Sequence, residues 1–434
     1  MSTLIVRGPC RMSGNARVPG DKSISHRALM IGAAATGTSM VRNIASGADV
    51  ASTIACLRSY GVEIETTNGD AGVHGKGRRS WLQPDGALDC GNSGTTMRML
   101  AGFAAHYDFT SVLDGDSSLR RRPMDRIARP LRALGAHVDA EGGRYPPLRI
   151  VGGALVGTEI DTEVASAQVK SCALFAGLGA GGRTRVTEPS LTRDHTERLL
   201  EALGAPIKQR RVEGGAHQVE VEGFDPPRFE ITIPGDVSSA AFLLGAAALC
   251  GEVSMSHVGL NPTRTGFASQ MQRMGATVRL EEAGLELGEP FGGINAERSD
   301  LVAADVRADD VAGFLDELPL LGVLASQAKG ETAVTGAGEL RVKESDRIDS
   351  LVTGLRKLGA EIHELPDGFV VRGGRPLHGA EVDAAGDHRI AMALAVAGLV
   401  AHGETRITGW ECAAVSWPGF EGVLAELGAD VEVV

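Results

Sequence analysis

Leu355-Arg356-Lys357-Leu358-Gly359-Ala360-Glu361-Ile362 is the stretch from which the fold follows. Leucines at helical spacing end at a glycine, and apolar and polar residues alternate after it, so a helix stops there and a strand begins. The same ending, an apolar or aromatic residue followed by glycine and then alanine or valine, recurs at Gly61, Gly135, Gly204, Gly275 and Gly428. Successive endings lie about 70 to 84 residues apart, too far for a short solenoid repeat and the right size for a small α/β unit. The sequence therefore predicts six units. In each, a helix of small residues leads to a strand, a polar connection, a second helix and further strand.

A second symmetry lies above the repeats. Val18-Pro19-Gly20-Asp21 returns as Ile233-Pro234-Gly235-Asp236, each time before a small-residue helix. Proline fixes the backbone and glycine frees it, which suits a crossover between lobes. Two lobes of three repeats are expected: residues 20–234 as the upper lobe, and residues 1–19 with 235–434 as the lower, with hinges near Pro19-Gly20 and Pro234-Gly235.

Composition narrows the function. The chain of 434 residues is 43% hydrophobic and 23% charged, as expected of a soluble protein of two or three domains. Its six cysteines form no CxxC pair and no Cys/His metal spacing, so a cytoplasmic protein without disulfides or metal is expected. The most apolar run, 390–401, is too short to span a membrane, and residues 1–11 carry no hydrophobic targeting signal. A net charge of −12 with 4% aromatic residues argues against a nucleic-acid surface. Any anion site must gather its cations locally, against the overall field.

Several stretches do gather them. Asp21-Lys22-Ser23-Ile24-Ser25-His26-Arg27 opens a helix, where free N–H groups and the dipole favour an anion. Gly91-Asn92-Ser93-Gly94-Thr95-Thr96-Met97-Arg98 opens another, with no bulky side chain over its amides. Arg120-Arg121-Arg122-Pro123, Ser166-Ala167-Gln168-Val169-Lys170 and Thr192-Arg193-Asp194-His195 follow. In the second lobe Phe314-Leu315-Asp316-Glu317-Leu318 sets two carboxylates in apolar surroundings, where a charge is costly unless paired or used. In Leu340-Arg341-Val342-Lys343-Glu344-Ser345-Asp346-Arg347 a continuous helix would put Lys343 and Arg347 on one face. Gly386-Asp387-His388-Arg389 adds another cation; His388 and His195, taken alone, read as structural. Gly177, Gly179 and Gly182 fit a bare GxGxxG but follow a helix instead of opening one, and no GxxxxGK[ST] is present, so nucleotide binding loses its warrant.

Taken in order, the motifs Gly20 to Arg27, Gly91 to Arg98, Arg122 to Met124, Ser166 to Lys170, Leu340 to Arg347 and Asp387 to Met392 resemble those of the EPSP synthase (3-phosphoshikimate 1-carboxyvinyltransferase) family over the whole chain. The resemblance implies an α/β (α+β) enolpyruvyl transferase fold: six βαβαββ units in two inverse-barrel-like domains, with helix N-termini converging on a cleft that closes around substrates. It implies transfer of the enolpyruvyl group of phosphoenolpyruvate to the 5-hydroxyl of 3-phosphoshikimate, in aromatic amino-acid biosynthesis, by addition and elimination through a tetrahedral intermediate. It implies no cofactor and no metal. Partners are the two small molecules, with neither nucleic acid nor membrane, and a cytoplasmic monomer is expected.

By matching motif, Lys22, Ser23, Arg27, Ser166, Gln168, Arg193, Asp316 and Lys343 are expected to hold 3-phosphoshikimate. Lys22, Gly94, Arg122, Gln168, Arg347 and Arg389 are expected on phosphoenolpyruvate, with Asp316, Glu344 and Lys22 as the proton-transfer set. Ala167, where many members have a second serine, and Thr192 to His195, which replace a tyrosine-containing segment, resemble a divergent subclass. Residues 414–418 lack the lysine that some members use on phosphoenolpyruvate, so Val415 is left unassigned. Gly94 accompanies sensitivity to glyphosate. The rival enzyme, UDP-N-acetylglucosamine enolpyruvyl transferase, usually bears a reactive cysteine before the Arg-Pro matching Arg122-Pro123, and residues 114–121 contain none. A repeat scaffold that only binds anions would not need the acids Asp316 and Glu344.

Overall fold

Each of the six glycine endings closes its helix in the same way. Gly359, at φ 94°, donates its N–H to the Arg356 carbonyl, and Ala360 donates to the Leu355 carbonyl. This pair of bonds satisfies two carbonyls the helix would otherwise leave open, and it requires the left-handed backbone that glycine adopts without strain. Gly61, Gly135, Gly204, Gly275 and Gly428 repeat both bonds, with φ between 81° and 104°. A strand follows each time.

The computed structural model, which describes residues 2–434, divides into two units. One runs up to Pro19 and takes in Gly235–Gly284 and Pro290–Val434; the other is Gly20–Pro234 with Leu285–Glu289. Each unit holds three small sheets and its own core, and none of the six sheets closes into a barrel among the described residues. The sheet of residues 159–222 shows the plan. Strand Glu159–Asp161 leads through helix Ala167–Gly177 to Arg183–Glu188, which pairs with it in parallel. Helix His195–Ala202 then leads to the antiparallel hairpin Ile207–Arg211 and His217–Glu222, giving the sheet its four-stranded order. This is a βαβαββ unit, and the architecture is the mixed α/β one expected.

Two kinds of helix alternate. Helices Lys22–Ala34, Gly94–Ala104, Ala167–Gly177, Val237–Cys250, Leu318–Gln327 and His388–Val400 are almost wholly buried, and beyond their first two turns they are nearly all apolar. A helix with no polar stripe must be surrounded by protein. The glycine-ended helices are amphipathic, with one buried face and one exposed face. The apolar 390–401 run lies in the buried helix His388–Val400, and no helix among the described residues is long and apolar enough to cross a membrane.

Not every repeat takes its strands from its own stretch of chain. Strand Glu230–Thr232 supplies the parallel edge beside Thr36–Arg42. The N-terminal strand Thr3–Gly8 lies between Val431–Val433 and Gly403–Thr408, and Met12–Ala16 pairs with Gly251–Gly259. At the crossovers the Asp21 N–H donates to the Pro234 carbonyl in one unit, and the Asp236 N–H donates to the Pro19 carbonyl in the other.

His26, inside helix Lys22–Ala34, bonds the Thr53 hydroxyl at 2.6 Å. Burial pushes its imidazole down to about 3, with Lys22 and Arg27 acting the same way against Asp49. The unfolded chain takes up this proton near 6.5, so acid favours unfolding from there downwards. At ~1.4 kcal/mol per pH unit, His26 alone should withdraw roughly 4–5 kcal/mol by the bottom of that window. Denaturant titrations at pH 7, 6 and 5 should show a falling stability, with a shallower fall in His26→Gln. A flat profile would show that the imidazole is protonated in the folded chain.

Candidate functional site

The site residues fall into two groups, one in each unit. In the unit of residues 20–234, four helix starts carry them. Asp21 caps helix Lys22–Ala34 by accepting the Ile24 N–H at 2.9 Å, and Ser93 caps Gly94–Ala104 through the Thr96 N–H at 3.1 Å. Ser166 caps Ala167–Gly177, so its hydroxyl is partly engaged with the Val169 N–H at 3.5 Å. Each cap leaves neighbouring amides at the helix mouth.

Here the structure joins motifs far apart in sequence. The Arg98 Nη1 donates to Gln168 Oε1 at 2.6 Å, and the Gln168 amide donates to Thr95 Oγ1 at 2.8 Å. Arg122 Nη2 donates to Asn92 Oδ1. Both guanidinium groups crowd Gly94: a Cβ there would lie 3.0 Å from Arg98 Nη1 and 3.5 Å from Arg122 Nη1. Gly94, Arg98, Arg122 and Gln168 therefore meet in one cationic cluster. No role had been expected of Arg98, although its place one helical turn after Gly94 signals it.

Lys22 is held by Asp49 at 3.0 Å, both partly buried. Arg27 is more deeply set: its Nε donates to Thr196 Oγ1 at 2.7 Å, Nη2 to Ser171 Oγ at 2.9 Å and Nη1 to the Ser23 carbonyl at 2.9 Å. Burial lowers this guanidinium to about 10, against the pull of Glu197, Asp21 and Glu289, so it remains a cation at neutral pH. Arg193 precedes helix His195–Ala202 and repels Arg27 electrostatically. His195 is buried and bonds Glu289 at 2.7 Å, a structural engagement.

In the other unit the centre is Arg347, which is 2% exposed. Its Nε donates to Asp387 Oδ2 at 2.8 Å, Nη2 to Glu344 Oε2 at 2.7 Å and Nη1 to Asp316 Oδ1 at 3.3 Å. Burial alone would lower this guanidinium; Asp387, Glu344 and Asp316 outweigh it and raise it. Burial would likewise raise the Asp387 carboxyl, yet Arg347 holds it below its usual value. Lys343 Nζ stands 4.0 Å from Asp316 Oδ1. Asp387 also caps helix His388–Val400 through the Arg389 N–H at 2.8 Å, and the Arg389 side chain turns to the Ser238 carbonyl and the face of Phe242. Val415 ends the short turn Trp410–Val415.

One expectation is corrected. Lys343 and Arg347 do not share a helix face: Lys343 is extended, and the helix begins at Arg347. Asp346 decides this, because its Oδ1 accepts the N–H groups of Ile348 and Asp349, both at 3.1 Å, and starts the helix there. The break turns Glu344 back onto Arg347.

Comparison with known proteins gives a consistent picture. A family model described as EPSP synthase (3-phosphoshikimate 1-carboxyvinyltransferase) matches residues 6–424. A protein named 3-phosphoshikimate 1-carboxyvinyltransferase from Desulforamulus reducens is 44% identical over 429 residues, covering 98% of this chain and 99% of the relative. One of the same name from Synechococcus sp. (strain RCC307) is 45% identical over 434 residues, with 98% and 99% covered. A solved structure described as EPSP synthase from Acinetobacter baumannii superposes with a TM-score of 0.89 at 42% identity, covering 100% of this chain and 99% of the other.

Arg347→Met would remove the guanidinium that three carboxylates share. It should cost about 3–5 kcal/mol, the usual penalty for breaking a buried pair, measured as the shift of a urea unfolding curve. A loss below about 1 kcal/mol would mean that water screens the acids instead.

Proposed function

The chain belongs to the EPSP synthase family, and from that premise we propose that it transfers the enolpyruvyl group of phosphoenolpyruvate to the 5-hydroxyl of 3-phosphoshikimate and releases phosphate. The observation that carries the reading is the meeting of Gly94, Arg98, Arg122 and Gln168, residues of three separate motifs, on one helix mouth. Both substrates carry a phosphate and a carboxylate, so four anionic groups must be held close together, and their repulsion must be offset. Charge-assisted bonds worth about 1.5–3 kcal/mol each suit that task. The six cysteines are free thiols, which fits a cytoplasmic enzyme.

We assign 3-phosphoshikimate to Lys22, Ser23, Arg27, Ser166, Gln168, Arg193, Asp316 and Lys343. Phosphoenolpyruvate is assigned to Lys22, Gly94, Arg122 and Gln168, and to Arg347 and Arg389. In the addition step the 5-hydroxyl loses its proton as its oxygen attacks C2 of the enol, and the methylene carbon gains a proton. In the elimination step the new methyl group gives that proton back while the C–O bond to phosphate breaks. Asp316 is the base on the hydroxyl. Glu344 is the acid on the methylene and later its base, and Lys22 is a further proton carrier. Arg347 contacts both acids, so it sets their positions as well as attracting the anion.

The first test is phosphate release from phosphoenolpyruvate with 3-phosphoshikimate or UDP-N-acetylglucosamine as acceptor. Release is expected with 3-phosphoshikimate alone; silence with both, from folded protein, would overturn the proposal. Asp316→Asn and Glu344→Gln should each lose ~10²–10⁴ in rate. A loss under about tenfold in both, with substrate binding intact, would remove these residues from proton transfer.

Glyphosate should compete with phosphoenolpyruvate. Gly94→Ala puts a methyl group against Arg98 Nη1 at 3.0 Å. It should weaken glyphosate at least about tenfold, or ~1.4 kcal/mol, and raise KM for phosphoenolpyruvate. Inhibition insensitive to phosphoenolpyruvate concentration, or unchanged in Gly94→Ala, would count against placing the donor at this helix mouth.

A further inference from the structure

Lys170, Glu188 and Glu197 are all fully buried, and the reaction as assigned uses none of them. Lys170 Nζ lies 2.6 Å from Glu188 Oε1 and 2.7 Å from Glu197 Oε1. An apolar trio would fill this space at less cost, since burying charge is expensive even when it is paired. The cluster's outer contacts indicate what the charges accomplish.

On one side, Glu188 holds a loop. Its Oε1 accepts the Thr192 N–H at 3.1 Å, and its Oε2 accepts the Thr192 hydroxyl at 2.6 Å. Thr192 immediately precedes Arg193. On the other side, Glu197 follows Thr196, whose hydroxyl receives Arg27 Nε and bonds the Ser171 hydroxyl at 2.7 Å. Ser171 is the neighbour of Lys170 and itself accepts from Arg27 Nη2. Lys170 thus joins the end of strand Arg183–Glu188, the start of helix His195–Ala202 and the helix it sits on. Through these, it reaches the surroundings of two cations, Arg27 and Arg193. These two repel each other, so without a rigid support they would drift apart.

We propose that Lys170, with Glu188 and Glu197, is a positioning cluster that fixes Arg193, through Thr192, at the separation from Arg27 needed to grip the anionic groups of 3-phosphoshikimate. Glu188 and Thr192 aim the arginine; Lys170 keeps Glu188 ionised and immobile so that it accepts both Thr192 bonds. The burial of all three charges supports this, because Lys170 and Glu188 each stay on the charged side despite desolvation, the lysine through Glu197 and Glu188, the glutamate through His217, Lys170 and Thr192. The inference rests on the assignment of Arg27 and Arg193 to 3-phosphoshikimate made above.

Thr192→Val deletes one of the two bonds at little cost in volume, and Thr192→Ser retains it. Thr192→Val should raise KM for 3-phosphoshikimate, and its Kd by calorimetry, about tenfold, with kcat and KM for phosphoenolpyruvate nearly unchanged. Thr192→Ser should restore both values. In an Arg193→Ala background Thr192→Val should add nothing further, since the arginine it aims is gone. Lys170→Met should show the same selective loss; if it does not fold, the Thr192 pair still decides. A normal Kd in Thr192→Val with a lowered melting temperature, equal rises in both KM values, or full additivity with Arg193→Ala would each overturn the positioning role. Wild-type protein that binds 3-phosphoshikimate without turning it over would overturn the catalytic reading while leaving the Kd comparison to decide this one. Failure to bind it at all would overturn both.

Discussion

Arg347 and its three carboxylates are the interaction on which one half of this molecule turns. A guanidinium presents five N–H groups in a rigid fork, so each acid it binds is fixed in direction as well as distance. Asp316 comes from the turn before helix Leu318–Gln327, Glu344 from the segment before Arg347 itself, and Asp387 from the cap of helix His388–Val400. Apolar packing alone tolerates small slips between such elements; a fork shared by three acids does not. The two acids assigned to proton transfer both bond Arg347, so their geometry and the stability of the unit depend on the same bonds.

The other unit follows the same rule with different residues. A protein of net charge −12 that collects cations in a few places must hold each with buried partners. Lys22 has Asp49, Arg27 has two hydroxyls and a carbonyl, and Lys170 has two glutamates. The acids orient the cations, and the helix mouths supply amides beside them. Gly94 shows how little room this leaves, since a methyl there would come within 3.0 Å of the Arg98 guanidinium and touch that of Arg122.

Six helix endings, six sheets and six buried helices give this chemistry its frame. The enclosed helices begin at the caps Asp21, Ser93, Ser166 and Asp387, and the cations of the site flank those caps. The strands that complete the repeats are borrowed along the chain: Thr3–Gly8 is inserted beside the C-terminal strand, and Glu230–Thr232 is the edge for Thr36–Arg42. The repeat is thus a unit of packing more than a unit of sequence.

What could be read from the sequence alone was whatever local forces decide. A glycine with left-handed φ and two bonds back into its own helix needs nothing from the rest of the fold, so Gly61 to Gly428 announced the endings and with them the α/β repeat. Asp or Ser before the small-residue helices announced the mouths. What only tertiary structure decided was whatever depends on a partner distant in the chain. The run from Lys343 to Arg347 looked like one helix face until the Asp346 cap and the pull of Arg347 on Glu344 broke it. Arg98 became part of the site by meeting Gln168, and Lys170 became a buried charge because Glu188 and Glu197 fold onto it. A charged side chain pays its desolvation only where opposite charge is already placed, and sequence order does not reveal that placement.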